Sequence, residues 1–125
     1  MSQHVLVVDD ELTVRRLVQL NLERAGFRVT TANDGVEALD AVASDRPDLV
    51  LTDITMPRLD GIELVRRLKG NPDTQAIPVV MLTAKAQDAD HFEAERSGAD
   101  RYLHKPFHPL RLLETIKETL EATAA

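Results

Sequence analysis

The stretch VLVVDDE, residues 5–11, joins an apolar run to three consecutive acidic residues. Four apolar residues in a row are typical of a strand that is covered on both faces of a sheet. A carboxylate taken out of water costs stability unless a positive group meets it. The acids at the end of this strand therefore predict a partner of positive charge, and the rest of the sequence indicates which one.

The composition limits the class of protein. A chain of 125 residues with 43% hydrophobic residues has the size of one domain with a single core. The net charge of -6 disfavours nonspecific binding to nucleic acid or an anionic membrane, and it favours a cation or a basic partner. The absence of cysteine excludes disulfides, thiolate metal sites and cysteine nucleophiles. Because neither a signal-peptide pattern nor a bilayer-spanning apolar stretch occurs, we expect a cytoplasmic protein.

Outward from residues 5–11, strand and helix patterns alternate along the chain. Five strands are predicted, over residues 5–8, 27–31, 48–52, 77–82 and 101–104. A helical pattern follows each strand, and its apolar residues include Leu17 in the first helix and Val36 in the second. Asp34 with Glu37, and Asp60 with Glu63, have the spacing of capping boxes that open the second and third helices. A thin fourth helix is predicted around Ala89 and Phe92, running toward Gly98, and a fifth begins at Pro109.

Five strand–helix units with short connections predict an α/β fold, with a five-stranded parallel sheet doubly wound by five helices. We expect the strand order 2-1-3-4-5. In such sheets, ligands bind beyond the carboxyl ends of the strands, where the strand order reverses. The polar residues that follow predicted strands at this edge are Asp9, Asp10, Asp53, Thr83 and Lys105. They are far apart in the sequence and are predicted to converge in space.

The predicted cluster of Asp9, Asp10 and Asp53 has a clear chemical preference. Three carboxylates in one crevice repel each other and suit a hard divalent cation that prefers oxygen ligands. Mg²⁺ is the predicted ion, and it usually binds through a few carboxylates together with phosphate oxygens. An Asp carboxylate can attack phosphorus while a metal and an ammonium group neutralise the charge on the transferred oxygens. Asp53 is therefore the predicted nucleophile, with Mg²⁺ and Lys105 as its electrostatic partners.

The motifs together resemble one protein family. The segments VLVVDDE, LVLTDITMPRLDGIEL, VVMLTAKA and GADRYLHKPF resemble the response-regulator receiver domain of two-component signalling, of the chemotaxis-regulator type. The resemblance extends in register over residues 1–125 as one receiver domain, with a flavodoxin-like fold. It implies a phosphorylation-activated switch that is not an enzyme, because such a domain promotes only its own phosphorylation and dephosphorylation.

The resemblance also implies roles for single residues. Asp53 would accept a phosphoryl group from a sensor histidine kinase or a histidine phosphotransfer protein. Thr83 and Lys105 would contact the phosphoryl oxygens. The metal, Mg²⁺ with Mn²⁺ as a substitute, would be held by Asp9, Asp10, Asp53 and the carbonyl of Thr55.

The same resemblance implies how a signal leaves the site. Thr83 and Tyr102 would form the switch, and the peptide bond before Pro106 would be cis. A downstream protein would bind the face made by the predicted fourth helix, strand five and the predicted fifth helix. Direct contact with nucleic acid or a membrane is not expected.

Some positions depart from the commonest family pattern. Thr55 is small and polar where many members carry an apolar or bulky residue. Lys85, two residues beyond Thr83, is a cation able to reach the rim of the site. His104 precedes Lys105 where a small hydroxyl residue is frequent. We expect Thr55 and Lys85 to influence the phosphoryl lifetime, without a predicted sign.

Alternative interpretations are kept open. Asp9 and Asp10 could cap the first helix, where acidic residues are favoured by the helix dipole. The segment DIT, residues 53–55, loosely resembles the motif of a Mg²⁺-dependent phosphatase with an aspartyl nucleophile, and turnover of an external phosphoester would favour that enzyme. An FMN-binding module would share the fold, but residues 9–11 would repel its phosphate without a metal, and a colourless protein would exclude it.

Overall fold

Strands and helices alternate along the chain in a computed structural model, which describes residues 2–54, 56–84 and 98–124. The elements within these ranges are β1 His4–Val8, α1 Leu12–Arg24, β2 Arg28–Ala32, α2 Gly35–Ser44, β3 Leu49–Asp53, α3 Gly61–Lys69, β4 Val79–Ala84, β5 Arg101–Lys105 and α4 Pro109–Ala124. The predicted fourth helix lies outside the described residues. The helix named α4 here is therefore the predicted fifth helix.

The five strands form one parallel sheet with the order β2-β1-β3-β4-β5. This confirms the predicted α/β fold and its strand order. Four strands, β2 to β5, extend further toward their carboxyl ends than predicted, because the ladder continues through the pairs Val8 with Ala32, Asp53 with Leu82 and Ala84 with Lys105. Consequently Asp53, Thr83 and Lys105 lie within the ends of their strands rather than after them.

Alternate residues of the strands pack into two cores, one on each face of the sheet. On the first face, strand residues such as Val50 and Met81 pack with Val65 of α3 in a core that also includes residues of α2. On the opposite face, Leu51 and Leu82 pack in a core with residues of α1 and α4. We call these the α2/α3 face and the α1/α4 face. Burial on both faces explains the continuous apolar runs of the central strands.

Carboxylate caps fix where two helices begin. The side chain of Asp34 accepts a hydrogen bond from the backbone N–H of Glu37 at 2.9 Å, and Asp60 accepts one from Glu63 at 2.9 Å. These bonds confirm the predicted starts of α2 and α3. At α1 the cap position is occupied by Glu11, which makes no side-chain capping bond.

The described residues contain no helix with both the length and the apolarity needed to cross a membrane.

Candidate functional site

Three carboxylates meet at the carboxyl edge of the sheet. Asp9, Asp10 and Asp53 each offer one oxygen, and these oxygens lie within 4.8 Å of one another. Asp9 follows β1 and Asp53 ends β3, so the cluster stands where the strand order reverses. Asp9 is only 1% exposed, Asp53 is half-buried and Asp10 is exposed. The cluster thus runs from the interior to the solvent, and a small ion can reach it.

The ammonium group of Lys105 lies between two of these carboxylates. Its Nζ is 3.5 Å from Oδ2 of Asp9 and 3.3 Å from Oδ2 of Asp53. Among the described residues, the three clustered carboxylates and this lysine carry formal charges of -3 and +1, which leaves -2. A divalent cation would neutralise that remainder, and an all-oxygen donor set suits Mg²⁺. The residues present therefore fit a magnesium ion.

The environment of Asp53 opposes its negative charge. Burial raises the pKa of the Asp53 carboxyl above its ordinary value, and the neighbouring Asp9 raises it further. Lys105 and the backbone N–H of Ile54, 2.9 Å from Oδ1, act in the opposite direction without restoring the ordinary pKa. An added cation would therefore stabilise the ionised form of Asp53.

A glycine holds the backbone that follows Asp53 close to α3. The N–H of Gly61 donates to the carbonyl oxygen of Ile54 at 2.7 Å. A Cβ at residue 61 would overlap the carbonyl oxygen of Asp53. Only glycine allows this close approach, so Gly61 fixes the end of β3 against the start of α3.

The loop between β3 and α3 is also fastened to the start of α2. Arg58 has a positive φ of 66°. Its Nε and Nη2 lie 2.8 and 2.7 Å from Oδ2 of Asp34. The N–H of Gly35 donates to the carbonyl oxygen of Leu59 at 3.0 Å. Sequence reasoning gave Asp34 a capping role and missed Arg58, because no local pattern links these two distant positions.

Thr83 and Tyr102, the two switch residues implied by the resemblance, stand on the α2/α3 face. Thr83 is 1% exposed, and its Oγ1 lies 2.9 Å from Nδ1 of His104. Thr83 and His104 are paired across β4 and β5, which brings their side chains together on one face. Tyr102, two residues earlier on β5, packs against the core of that face. The peptide bond between Lys105 and Pro106 is cis, as the resemblance implies.

Two residues singled out from the sequence, Thr55 and Lys85, lie outside the described residues. The structure brings together Asp9, Asp10, Asp53 and Lys105 in one crevice. The hydroxyl of Thr83 lies 2.9 Å from Nδ1 of His104, a residue for which the sequence had predicted no contact.

Comparison with known proteins identifies the family. The sequence model of the response regulator receiver domain matches residues 5–117. The chain belongs to this family. Receiver domains are phosphoacceptor switches of two-component systems, and they interact with sensor histidine kinases and with downstream effectors. They generally bind Mg²⁺ through an acidic pocket.

Two similar proteins are longer than this receiver domain. Response regulator MprA of Mycobacterium tuberculosis is 44% identical over 123 residues, which cover 98% of this chain and 53% of MprA. The alkaline phosphatase synthesis transcriptional regulatory protein PhoP of Bacillus subtilis is 42% identical over 120 residues, covering 96% of this chain and 49% of PhoP. The chain therefore spans about half the length of these relatives.

A solved structure shows the same fold in another kind of protein. The signal receiver domain of a signal transduction histidine kinase from Syntrophus aciditrophicus superimposes with a TM-score of 0.92 at 33% identity. The match covers 97% of this chain and 92% of that chain. A receiver domain is thus shared by proteins whose names indicate different outputs.

Proposed function

We propose that Asp53 is the phosphoacceptor of this receiver domain. The observation that carries the proposal is the position of its carboxylate, half-buried beside Asp9 and 3.3 Å from the ammonium of Lys105. Asp60, by comparison, is an exposed residue whose carboxylate is committed to capping α3. A phosphohistidine of a sensor histidine kinase, or of a histidine phosphotransfer protein, is the proposed donor.

The proposed transfer exchanges one bond to phosphorus for another. An Asp53 carboxylate oxygen attacks the phosphorus, the bond between phosphorus and the donor imidazole nitrogen breaks, and that nitrogen regains a proton from solvent. Lys105 lies within reach of the oxygens on which negative charge collects, and the Thr83 hydroxyl donates to one of them. A cation that already contacts the nucleophile offers this stabilisation without rearrangement of a distant side chain.

Asp9, Asp10, Asp53 and the carbonyl of Thr55 are the proposed ligands of Mg²⁺, or of Mn²⁺ as a substitute. When bound, the ion would supply positive charge to the carboxylates and to the phosphoryl oxygens. The donor set and its residual charge of -2 support this assignment. Thr55 enters it through the family resemblance alone.

We infer that the chain acts as a single receiver domain over residues 1–125, and that it turns over no external phosphoester. Its proposed output surface includes β5 and α4, with the predicted fourth helix, and a downstream protein is the proposed occupant. Tyr102 on β5 packs against the α2/α3 core and is the proposed reporter of the phosphorylated state. We infer a cytoplasmic location, without direct binding to nucleic acid or to a membrane.

Chemical labelling tests the phosphoacceptor. Incubation with acetyl phosphate or phosphoramidate and Mg²⁺ should add one phosphoryl group, which intact mass spectrometry would detect and hydroxylamine would remove. Asp53→Asn and metal chelation should each abolish labelling. Asp60→Asn is the matched control, since it changes the same residue type at a helix cap, and it should be labelled normally. Normal labelling of Asp53→Asn would show that Asp53 is not the nucleophile.

A further inference from the structure

The hydrogen bond between Thr83 and His104 has no role in the transfer proposed above. The Thr83 side chain is 1% exposed, so its hydroxyl has little access to water as an alternative partner. His104 itself is exposed at the sheet edge, and its Nδ1 lies 2.9 Å from Oγ1 of Thr83. A buried hydroxyl that loses its protein partner without gaining another costs stability. The imidazole is therefore a substantive partner of Thr83.

The strand order sets the direction of this bond. β4 lies between β3, which ends in Asp53, and β5, which carries His104. The Thr83 hydroxyl, which starts from β4, is thus turned toward β5 and away from the strand of the phosphoacceptor. The strand that carries Asp53 therefore lies on the opposite side of β4 from the strand that carries the imidazole. A threonine hydroxyl has a single proton, so a hydroxyl that donates to Nδ1 cannot at the same time donate to a phosphoryl oxygen.

We propose that His104 is a positioning residue that holds the Thr83 hydroxyl in the unphosphorylated state and competes with the phosphoryl group for it. This inference rests on the role that the proposed function gives to Thr83. It adds His104, a residue to which the family resemblance assigns no role. The side chain at residue 104 thereby sets how readily the domain switches.

The size of the effect follows from the net value of one hydrogen bond. Before the hydroxyl can bind a phosphoryl oxygen, the bond to His104 must be broken, and this cost reduces the apparent affinity for a phosphoryl group or its mimic. Removing the imidazole removes the cost. We expect His104→Ala to bind the phosphoryl mimic beryllofluoride about fivefold more tightly than the wild type, as a typical net hydrogen bond implies.

A double-mutant cycle separates this competition from a general effect of the substitution. Beryllofluoride affinity is measured with Mg²⁺ present for the wild type, His104→Ala, Thr83→Val and the double variant. Valine has the shape of threonine without its hydroxyl. In the Thr83→Val background, His104→Ala should leave the affinity unchanged, because no hydroxyl remains to be held. His104→Asn, which restores a hydrogen-bonding side chain, should fall between His104→Ala and the wild type.

The imidazole reports the same event directly. The ¹⁵N signal of His104 Nδ1 should shift when beryllofluoride binds the wild type, and this shift should be lost in Thr83→Val. If ¹⁹F signals show bound beryllofluoride while the Nδ1 signal stays fixed and His104→Ala binds with wild-type affinity, the positioning role is wrong and the phosphoacceptor proposal stands. If the wild type binds no beryllofluoride, both fail together.

Discussion

The carboxylates of Asp34 and Asp53 lie in two environments of opposite character. Asp34 is buried, and it accepts the N–H of Glu37 at 2.9 Å and meets the guanidinium of Arg58 at 2.7 Å. These contacts, the N–H of Glu37 foremost, hold the pKa of Asp34 below its ordinary value. Asp53 shares Lys105 with Asp9, and its burial raises its pKa.

The difference separates a structural carboxylate from a reactive one. At Asp34 the fold supplies hydrogen-bond donors and a cation, so the charge is satisfied and the side chain fastens α2 to the loop between β3 and α3. At Asp53 the fold supplies too little positive charge. A deficit of this kind is often found at a functional site, where ligands complete the balance.

The largest expected effect is the gain in stability when magnesium binds the cluster of Asp9, Asp10 and Asp53. At a free Mg²⁺ concentration one hundredfold above Kd, the free energy of unfolding should rise by about 2.7 kcal/mol, because the ion binds the native state alone. Thermal unfolding with Mg²⁺, compared with NaCl of equal ionic strength, measures this rise. Asp34→Asn should retain the response in full. A melting temperature indifferent to Mg²⁺ would contradict the site.

Near Asp53 and near Asp34, one glycine stands where an added methyl group would overlap the neighbouring backbone. Replacing these two glycines by alanine should have effects that differ in one respect. A Cβ at residue 61 overlaps the Asp53 carbonyl oxygen, and one at residue 35 overlaps the carbonyl oxygen of Leu59. We expect Gly61→Ala and Gly35→Ala each to lower stability by about 1–3 kcal/mol in urea unfolding. Only Gly61→Ala should also weaken the stabilisation by Mg²⁺. An unchanged Mg²⁺ response in Gly61→Ala would show that Gly61 does not position Asp53.

The protein should lose stability when the charge of Asp34 is removed. Because the pKa of Asp34 is lowered by folding, its contribution is present above the unfolded pKa and is lost as the pH falls through the folded pKa. Asp34→Asn should therefore lower the melting temperature at pH 7, and the difference should shrink in acid. Arg58→Ala should lower it at pH 7 as well. A difference that stays constant between pH 7 and acid would show that the loss does not come from the charge of Asp34.

Removing the charge of Asp53 should have the smallest effect on stability, and its sign should be opposite to that at Asp34. Because the pKa of Asp53 is raised by folding, the contribution of this carboxyl group to stability is highest below the unfolded pKa, about 3.9, and is lost as the pH rises through the folded pKa. In the presence of a chelator, Asp53→Asn should therefore raise the melting temperature at pH 7, and the gain should vanish in acid. Lower stability of Asp53→Asn at pH 7 would reverse the comparison.

The fold could be predicted because its signals are local and repeated. Continuous apolar runs and helical spacing predict the strands and helices, and 2-1-3-4-5 is a common strand order of doubly wound parallel sheets. Spacing alone did not determine burial: Leu17 is 54% exposed and Val36 is 38% exposed, although both continue apolar patterns. Periodicity identifies one side of a helix, whereas burial depends on which neighbours cover it.

Only part of the candidate site could be predicted from the sequence in the same way. Strand ends brought Asp53 and Lys105 together in prediction because topology alone places them at one edge. The contacts of Arg58 with Asp34 and of Thr83 with His104 depend on loop conformation and on the register between neighbouring strands. No short motif encodes either of these, since each joins residues that are distant in the sequence.

The alternation of side chains along the strands connects the residues of the crevice to both cores of the domain. Asp53 and Lys105 continue the residue alternation of Leu51 and Leu103, on the α1/α4 face, whereas Thr83 continues that of Met81 on the α2/α3 face. A ligand that binds Asp53, Lys105 and Thr83 together would therefore contact strand ends that belong to both cores. We expect a substitution in the α2/α3 core next to Thr83 to alter that core more than the core on the α1/α4 face.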